Sequence, residues 1–258
     1  MTVLPVQEPE SGLPSHVRAS LAGVPGRLRP APDGPVRWID GSAGWTARAR
    51  THLEHGARGL LVDLPAIEPA GEIEALRDAA DGTGAVIAVA SPYVHSPAWT
   101  ACRAELADDR PQISLLDVVT VTVDPAGLDR SLLASLAAVR PLLRGTSLRR
   151  AAPDVATTLV THAGGLAVTL ACAVSVRPGM VLTAVGPHRR WRVDLPHDGT
   201  ARPGHATVHD ASGTRAWRPI YASSARAAWT DLHAAVTGGT RPAYGLDDLL
   251  ADVLLLDG

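Results

Sequence analysis

The sequence predicts an α/β fold, with a truncated Rossmann-like parallel unit followed by an α+β domain whose sheet is mostly antiparallel. Three observations carry this expectation. Between residues 36 and 90, short apolar runs alternate with helix-length segments, which is the rhythm of parallel βαβ units. Two of those runs, 59–64 (GLLVDL) and 85–90 (AVIAVA), are continuously apolar, as in strands buried on both faces. From residue 156 to 221 the chain reads as a series of β-runs broken by turn residues such as Gly186-Pro187, His197-Asp198-Gly199 and Ser212-Gly213.

Residues 1–34 are rich in Pro, Gly and Arg and read as a poorly ordered leader, with one short helical candidate at 16–21. The partial Rossmann-like unit spans 35–95. It has a strand at 36–40 (VRWID), a helix at 45–55 stopped by Gly56, and the strand at 59–64. A helix at 69–80 ends before Gly82 and leads to the strand at 85–90. The remaining domain spans 96–258. Ser96-Pro97 sets an N-cap followed by proline at the first helical position, and Asp124-Pro125 repeats the device for a helix that Pro141 stops. Strands are expected at 113–123, around a Gly164-Gly165 hairpin, and at 181–185, 190–195, 206–209 and 215–221. Helices at 225–236 and 246–256 close the chain and pack back.

With 46% apolar and 19% charged residues, the 258-residue chain can bury a core. Its net charge of -2 provides no electrostatic footprint for nucleic acid or an anionic membrane. Every basic residue is Arg, and Lys, Asn and Phe are absent, a usage that fits a high-GC genome. Cys102 and Cys172 make neither a disulfide framework nor a thiolate metal site. The opening MTVLPVQEPESG lacks the basic and apolar regions of a signal peptide, so a cytoplasmic protein is expected. The apolar stretch 158–176 carries His162 and the Gly-Gly pair at its middle, which suits a hairpin better than a membrane span. There is no G-x-S-x-G, H-E-x-x-H or G-x-x-x-x-G-K-[ST] to support a serine hydrolase, zincin or P-loop reading.

Several segments resemble the Gfo/Idh/MocA oxidoreductase superfamily, and within it the thiazolinyl imine reductases of siderophore assembly. HLEHGARGLLVDLPAI is similar to the family's helix and strand that end in Glu-Lys-Pro or Glu-His-Pro. AVIAVASPYVHSPAW resembles the next strand and its exit. GGLAVTLACAVSV and SGTRAWRPIYA resemble sheet strands, and AAWTDLHAAVTGGTRPAYGLDDLLADVLLLDG resembles the C-terminal helical pair. The order of several weak motifs, from Val36 to Gly258, carries the likeness.

The departures from that pattern are informative. The family's G-x-G-x-x-G, where backbone meets pyrophosphate at a helix N-terminus, is nowhere in the chain. Gly41 and Gly44 in DGSAGW have the wrong spacing and fall where the resemblance places a later strand. The first half of the Rossmann domain is therefore expected to be missing. The Lys or His that the family sets beside nicotinamide corresponds to Leu64, with Asp63 before it and Pro65 unchanged; a leucine cannot transfer a proton. These losses imply a pseudo-reductase with no cofactor.

Tyr93 and His95 are the candidate catalytic pair. They follow a parallel strand at its carboxyl end, where open α/β sheets place ligands, and a phenol with an imidazole can do acid–base work unaided. By resemblance Tyr93 is the proton donor to an imine; the plain alternative is that Tyr93 anchors the loop and His95 caps the next helix. His197, His205 and His209 among Asp194, Asp198 and Asp210 form a weak metal candidate, against a polar hairpin, and no metal site is assigned. Arg149-Arg150 and Arg189-Arg190 with Arg192 suit a phosphate or an acidic carrier surface, or simply solvated faces. Of the tryptophans Trp38, Trp45, Trp99, Trp191, Trp217 and Trp229, most are expected in the core, with Trp217 a candidate pocket wall.

The reading is a degenerate imine reductase-like protein acting without nicotinamide on a small or carrier-tethered heterocyclic intermediate. One alternative is a non-catalytic subunit that forms a homodimer or a heterodimer with a full-length reductase. The other is a weak NADPH-dependent reductase.

Overall fold

In the computed structural model the described residues are 2–8, 12–143, 149–151, 157–163, 166–197 and 202–257. They form two compact units, Met1–Ser91 with Ser223–Val253, and Pro92–Ala222 with Leu254–Gly258.

The first unit begins with β1 (Leu4–Gln7), α1 (Ser15–Ala22) and β2 (Leu28–Ala31). It continues through β3 (Val36–Asp40), α2 (Trp45–Glu54), β4 (Gly59–Asp63), α3 (Ala70–Thr83) and β5 (Val86–Ala90). These five strands make one parallel sheet in the order β2-β1-β3-β4-β5. This corrects the expectation for residues 1–34. The described residues of this stretch include a βαβ unit, β1-α1-β2, with the helix where it was expected, and the sheet is one strand short of the six-stranded doubly wound form, not a whole half.

The segment is ordered because it has something to pack against. Val17 and Leu21 of α1 and Leu4, Val6 and Leu28 of its strands join a buried cluster with Leu61, Ala88, Ala228, Trp229 and Leu232. The last three belong to α6 (Ser224–Gly238), which lies against β4, β5 and α1. Ser20 Oγ accepts a 3.0 Å hydrogen bond from Trp229 Nε1, and His233 Nε2 lies 2.7 Å from the Thr2 carbonyl. The prolines that made the segment look irregular sit where they cost little. Pro30 is on the edge strand β2, and β1 pairs with β3 only through Val6↔Val36. The opposite face is covered by α2 and α3, through Trp45, Ala49, Leu53, Ile73, Leu76 and Ala80, all buried.

The second unit holds α4 (Pro97–Asp109), β6 (Leu115–Thr122), α5 (Leu128–Val139) and seven further strands. These are β7 (Arg149–Ala151), β8 (Thr157–Ala163), β9 (Leu166–Val174), β10 (Gly179–Val185), β11 (Arg190–Pro196), β12 (His205–Asp210) and β13 (Gly213–Ala216). All pairs in this eight-stranded sheet are antiparallel except β6 with β9. The Gly164-Gly165 turn lies outside the described residues, but β8 and β9 on either side of it pair antiparallel, Ala163 opposite Leu166. The strand expected over 215–221 ends at Ala216, before Arg218-Pro219. Helices α4 and α5 cover one face of the sheet. Along β9 and β10 residues alternate between buried and half-buried, which marks the other face as uncovered. Among the described residues no helix is long and apolar enough to cross a membrane.

Two glycines of the first unit make opposite demands. A Cβ on Gly41 would lie 2.1 Å from the Asp63 carbonyl oxygen and 2.6 Å from Leu64 backbone, whereas a Cβ on Gly82 of α3 meets nothing within 4 Å. Gly41→Ala is therefore expected to destabilise this unit by about 2–3 kcal/mol or more through backbone overpacking. Gly82→Ala should stabilise it by roughly 0.5–1 kcal/mol through helix propensity. Thermal unfolding of the two variants checks both signs, and equal melting temperatures would contradict the packing described.

Candidate functional site

In the strand order 2-1-3-4-5 the direction of winding reverses between β1 and β3, and open α/β sheets receive ligands outside the carboxyl ends of the strands at such a switch. Four side chains gather there. His16 lies in the first turn of α1, Trp38 and Asp40 come from β3, and Asp63 ends β4. His16 Nε2 is 3.2 Å from Asp63 Oδ2, and the His16 and Trp38 rings meet edge-on at 6.4 Å. The Asp63 side chain is 26% exposed and that of His16 65%. Burial pushes the Asp63 carboxyl above the usual carboxylate range, against hydrogen bonds from His16 and Trp38; the nearby Asp40 charge adds to the rise.

The loops behind this edge are bound to one another. Gly41 donates to the Asp63 carbonyl at 3.0 Å, Ala66 donates to the Gly41 carbonyl at 2.6 Å, and Leu64 donates to the Ala90 carbonyl at 3.3 Å. Leu64, the residue that corresponds by resemblance to the family's Lys or His, has φ 46°. It is the one non-glycine with positive φ among the described residues. The left-handed conformation costs a leucine roughly 1–2 kcal/mol, and these hydrogen bonds hold it there.

The fold implies a nicotinamide dinucleotide, whose pyrophosphate would rest on the N-terminus of α1. The residues present do not fit it. The turn from β1 to α1 reads Glu8-Pro9-Glu10-Ser11-Gly12-Leu13-Pro14, with two carboxylates and a single glycine. Glu8 Oε1 already holds Arg18 Nη2 at 3.0 Å, and Pro14, which has no N–H, is the N-cap. The N-terminus of α2 is filled by a carboxylate. The Glu68 carboxylate accepts from Trp45 N at 2.9 Å, Thr46 N at 3.4 Å and Thr46 Oγ1 at 2.5 Å. This buried cap satisfies the amides that would otherwise greet an anion and contributes roughly 1.5–3 kcal/mol. Asp33, just beyond β2, stands about where dinucleotide-binding sheets carry a ribose-binding carboxylate, but the phosphate end has no seat.

Tyr93 and His95 lie in the turn between β5 and α4, and both are buried, at 2% and 4% exposure. The Tyr93 carbonyl accepts from Ser96 N at 3.2 Å, and Ser96 is the N-cap of α4 with Pro97 at its first position. The pair at the sheet edge that the sequence did not single out is His16–Asp63. Its partners are 47 residues apart, and His16 lay in the stretch taken for a leader.

The other candidates disperse. His205 stands opposite Asp194 in the β11–β12 ladder, His209 Nδ1 is 2.7 Å from Thr214 Oγ1, and Asp198 lies outside the described residues. The described residues contain no group of three or more potential metal ligands. Arg189 and Arg215 border a cleft of about 240 Å³ with Glu105 and Asp210. Arg189 Nη1 is 3.1 and 3.0 Å from the Asp109 carboxylate oxygens, and Arg215 pairs with Glu105. The carboxylates thus already neutralise these arginines. The side chains of Arg149 and Arg150 lie outside the described ones, and those of Arg190 and Arg192 are exposed on β11. Trp45, Trp99, Trp191 and Trp229 are buried core anchors, Trp217 stacks 5.2 Å from Trp191 under Arg215, and Trp38 is partly buried at the candidate site. Burial raises the thiols of Cys102 to about 12 and Cys172 to about 11, so both stay protonated and inert at neutral pH.

No family model and no curated protein matches the chain. Solved structures do, at low identity. A dehydrogenase from Chromobacterium violaceum is 14% identical over 100% of this chain and 94% of its own, with TM-score 0.75. The UDP-N-acetylglucosamine 3-dehydrogenase of Acidithiobacillus ferrooxidans is 13% identical over 100% and 97%, with TM-score 0.71. A 3-ketoreductase of Actinomadura kijaniata, solved with NADP and TDP-benzene, is 12% identical over 99% and 96%, with TM-score 0.76. The chain therefore has the fold of the Gfo/Idh/MocA-type oxidoreductases.

Proposed function

We propose that this chain keeps the oxidoreductase fold without the nicotinamide chemistry, and moves protons on a small, uncharged heterocyclic intermediate, free or carrier-tethered. The observation that supports this most directly is the filled N-terminus of α2 at the sheet edge, beside a β1–α1 turn that lacks the glycine fingerprint. Glu8 and Pro14 stand at α1, and the Glu68 carboxylate caps α2. A charged phosphate gains nothing from a helix end already neutralised by carboxylate. The thiazoline character of the substrate and its setting in nonribosomal peptide or siderophore assembly rest on sequence resemblance alone. Nucleotide binding tests the proposal. A ligand that binds only the native state stabilises it by RT ln(1 + [L]/Kd), so millimolar NADPH should leave the melting temperature and nucleotide fluorescence unchanged. A saturable shift at micromolar NADPH would return the chain to the reductases.

Tyr93 and His95 enter this proposal as proton donor and partner. Tyr93→Phe removes the hydroxyl and keeps the ring. It should cut turnover of a thiazoline substrate by about 10²–10⁴-fold at an unchanged melting temperature. Full turnover would leave both residues as the frame of the turn before α4.

A second reading, the partner subunit, is favoured by the uncovered sheet face of the second unit. Leu115 and Val119 stand there 39% and 37% exposed beside Val185 and Val181. An apolar β-sheet face of this kind is an association surface, and a second copy is the simplest occupant. Light scattering at about 50 μM should report a homodimer, since stable dimers of standard interface area persist well below that concentration. A monodisperse monomer would contradict the assignment.

A further inference from the structure

We infer that His16 and Asp63 form a general-base pair, open to solvent at the switch point of the first sheet, for a planar uncharged heterocycle bearing an acidic C–H or N–H. The inference rests on the nucleotide-free reading above and names where its proton transfer begins. Three features carry it.

First, the pair has the geometry of a carboxylate-oriented base. Ionised Asp63 is an acceptor only, so the 3.2 Å contact puts the imidazole proton on Nε2 and leaves the Nδ1 lone pair to accept. The two residues differ in freedom as such a pair requires. Asp63 is mostly buried on a strand that is locked to Gly41, while the His16 ring is 65% exposed and able to meet a solute.

Second, the surroundings select the substrate class. The Asp40 charge lies near the Asp63 carboxyl and the α2 N-terminus is filled by Glu68, so the local charge disfavours phosphates and carboxylic acids. Trp38, edge-on to His16, supplies an aromatic surface for a flat ring.

Third, the pair meets where the fold places ligands. α1 follows β1, and β3 and β4 bring Trp38 and Asp63 to the same carboxyl edge.

The reaction asked of the pair is isomerisation by proton removal, which needs no oxidant, reductant or metal. The probe is 5-nitrobenzisoxazole, a flat neutral heterocycle. Nδ1 of His16 takes the C3 proton, the C–H electron pair forms the nitrile, and the N–O bond breaks. Oxygen leaves as 2-cyano-4-nitrophenolate, and the proton passes from imidazolium to water, so product and substrate are isomers apart from that proton. Wild-type protein should release the coloured phenolate at least tenfold faster than an equal concentration of free imidazole at the same pH. General-base contributions commonly reach about 10²–10⁴-fold.

His16→Gln should lose at least nine-tenths of that excess with an unchanged melting temperature. Asp63→Asn should lose most of it, and Asp63→Glu, which restores a carboxylate, should recover it. That rescue distinguishes a positioning carboxylate from a merely structural one. Acylating wild-type protein with diethyl pyrocarbonate provides a check without substitution. Loss of rate should track modification mapped by mass to His16, and hydroxylamine should reverse it. A wild-type rate no better than free imidazole, or a His16→Gln rate equal to wild type, overturns the inference. Both outcomes are separate from the NADPH experiment, in which micromolar binding would overturn the nucleotide-free reading whatever the probe shows.

Discussion

The exit of β3 against the exit of β4 is the contact on which the first unit depends. Gly41 has no side chain because the Asp63 carbonyl occupies the space where one would go. That closeness lets Gly41 donate to the Asp63 carbonyl and accept from Ala66 N across the two loops, and it leaves Leu64 in a conformation that leucine rarely takes. Four residues beyond Leu64, Glu68 arrives beneath α2 and becomes its cap. One residue before Leu64, Asp63 is fixed facing α1, where His16 meets it. A single close backbone approach thus sets the strand register, the helix cap and the orientation of the most exposed acid–base pair at the edge. Leu64 is the centre of this joint.

The middle of the parallel sheet was legible because its signals are local. Continuous apolar runs at 59–64 and 85–90 and the glycines after the intervening helices correspond to β4, β5 and their neighbours within a residue or two. The alternation in β9 to β11 was legible for the same reason. Of the first 34 residues only the helix was legible, expected at 16–21 and lying at Ser15–Ala22. The two strands there are four residues each, too short for periodicity to rise above the proline and glycine background. What orders them is burial against α6, and the Ser20–Trp229 bond spans 209 residues. No window along the chain contains that information. The candidate site divides along the same line. The absent glycine fingerprint and the leucine at position 64 can be read from letters, whereas the His16–Asp63 contact exists only once the helix of the expected leader lies over the sheet edge.

Fold and electrostatics have separated in this chain. The parallel sheet, its winding order and its helices follow the oxidoreductase plan at 12–14% identity to the solved structures compared, because packing tolerates almost any apolar side chain of suitable volume. Cofactor binding has no such tolerance. A helix N-terminus carries roughly half a positive charge, and it serves a phosphate only while its amides are unclaimed and no carboxylate stands nearby. Glu68 claims the amides of α2 without disturbing a strand, and strengthens α2 as it does so. At the N-terminus of α2 the partners of the backbone amides are supplied by the chain's own Glu68. The side chains that meet near the carboxyl edge, His16 above Asp63 with Trp38 beside them, come from three separate elements that the strand order brings together.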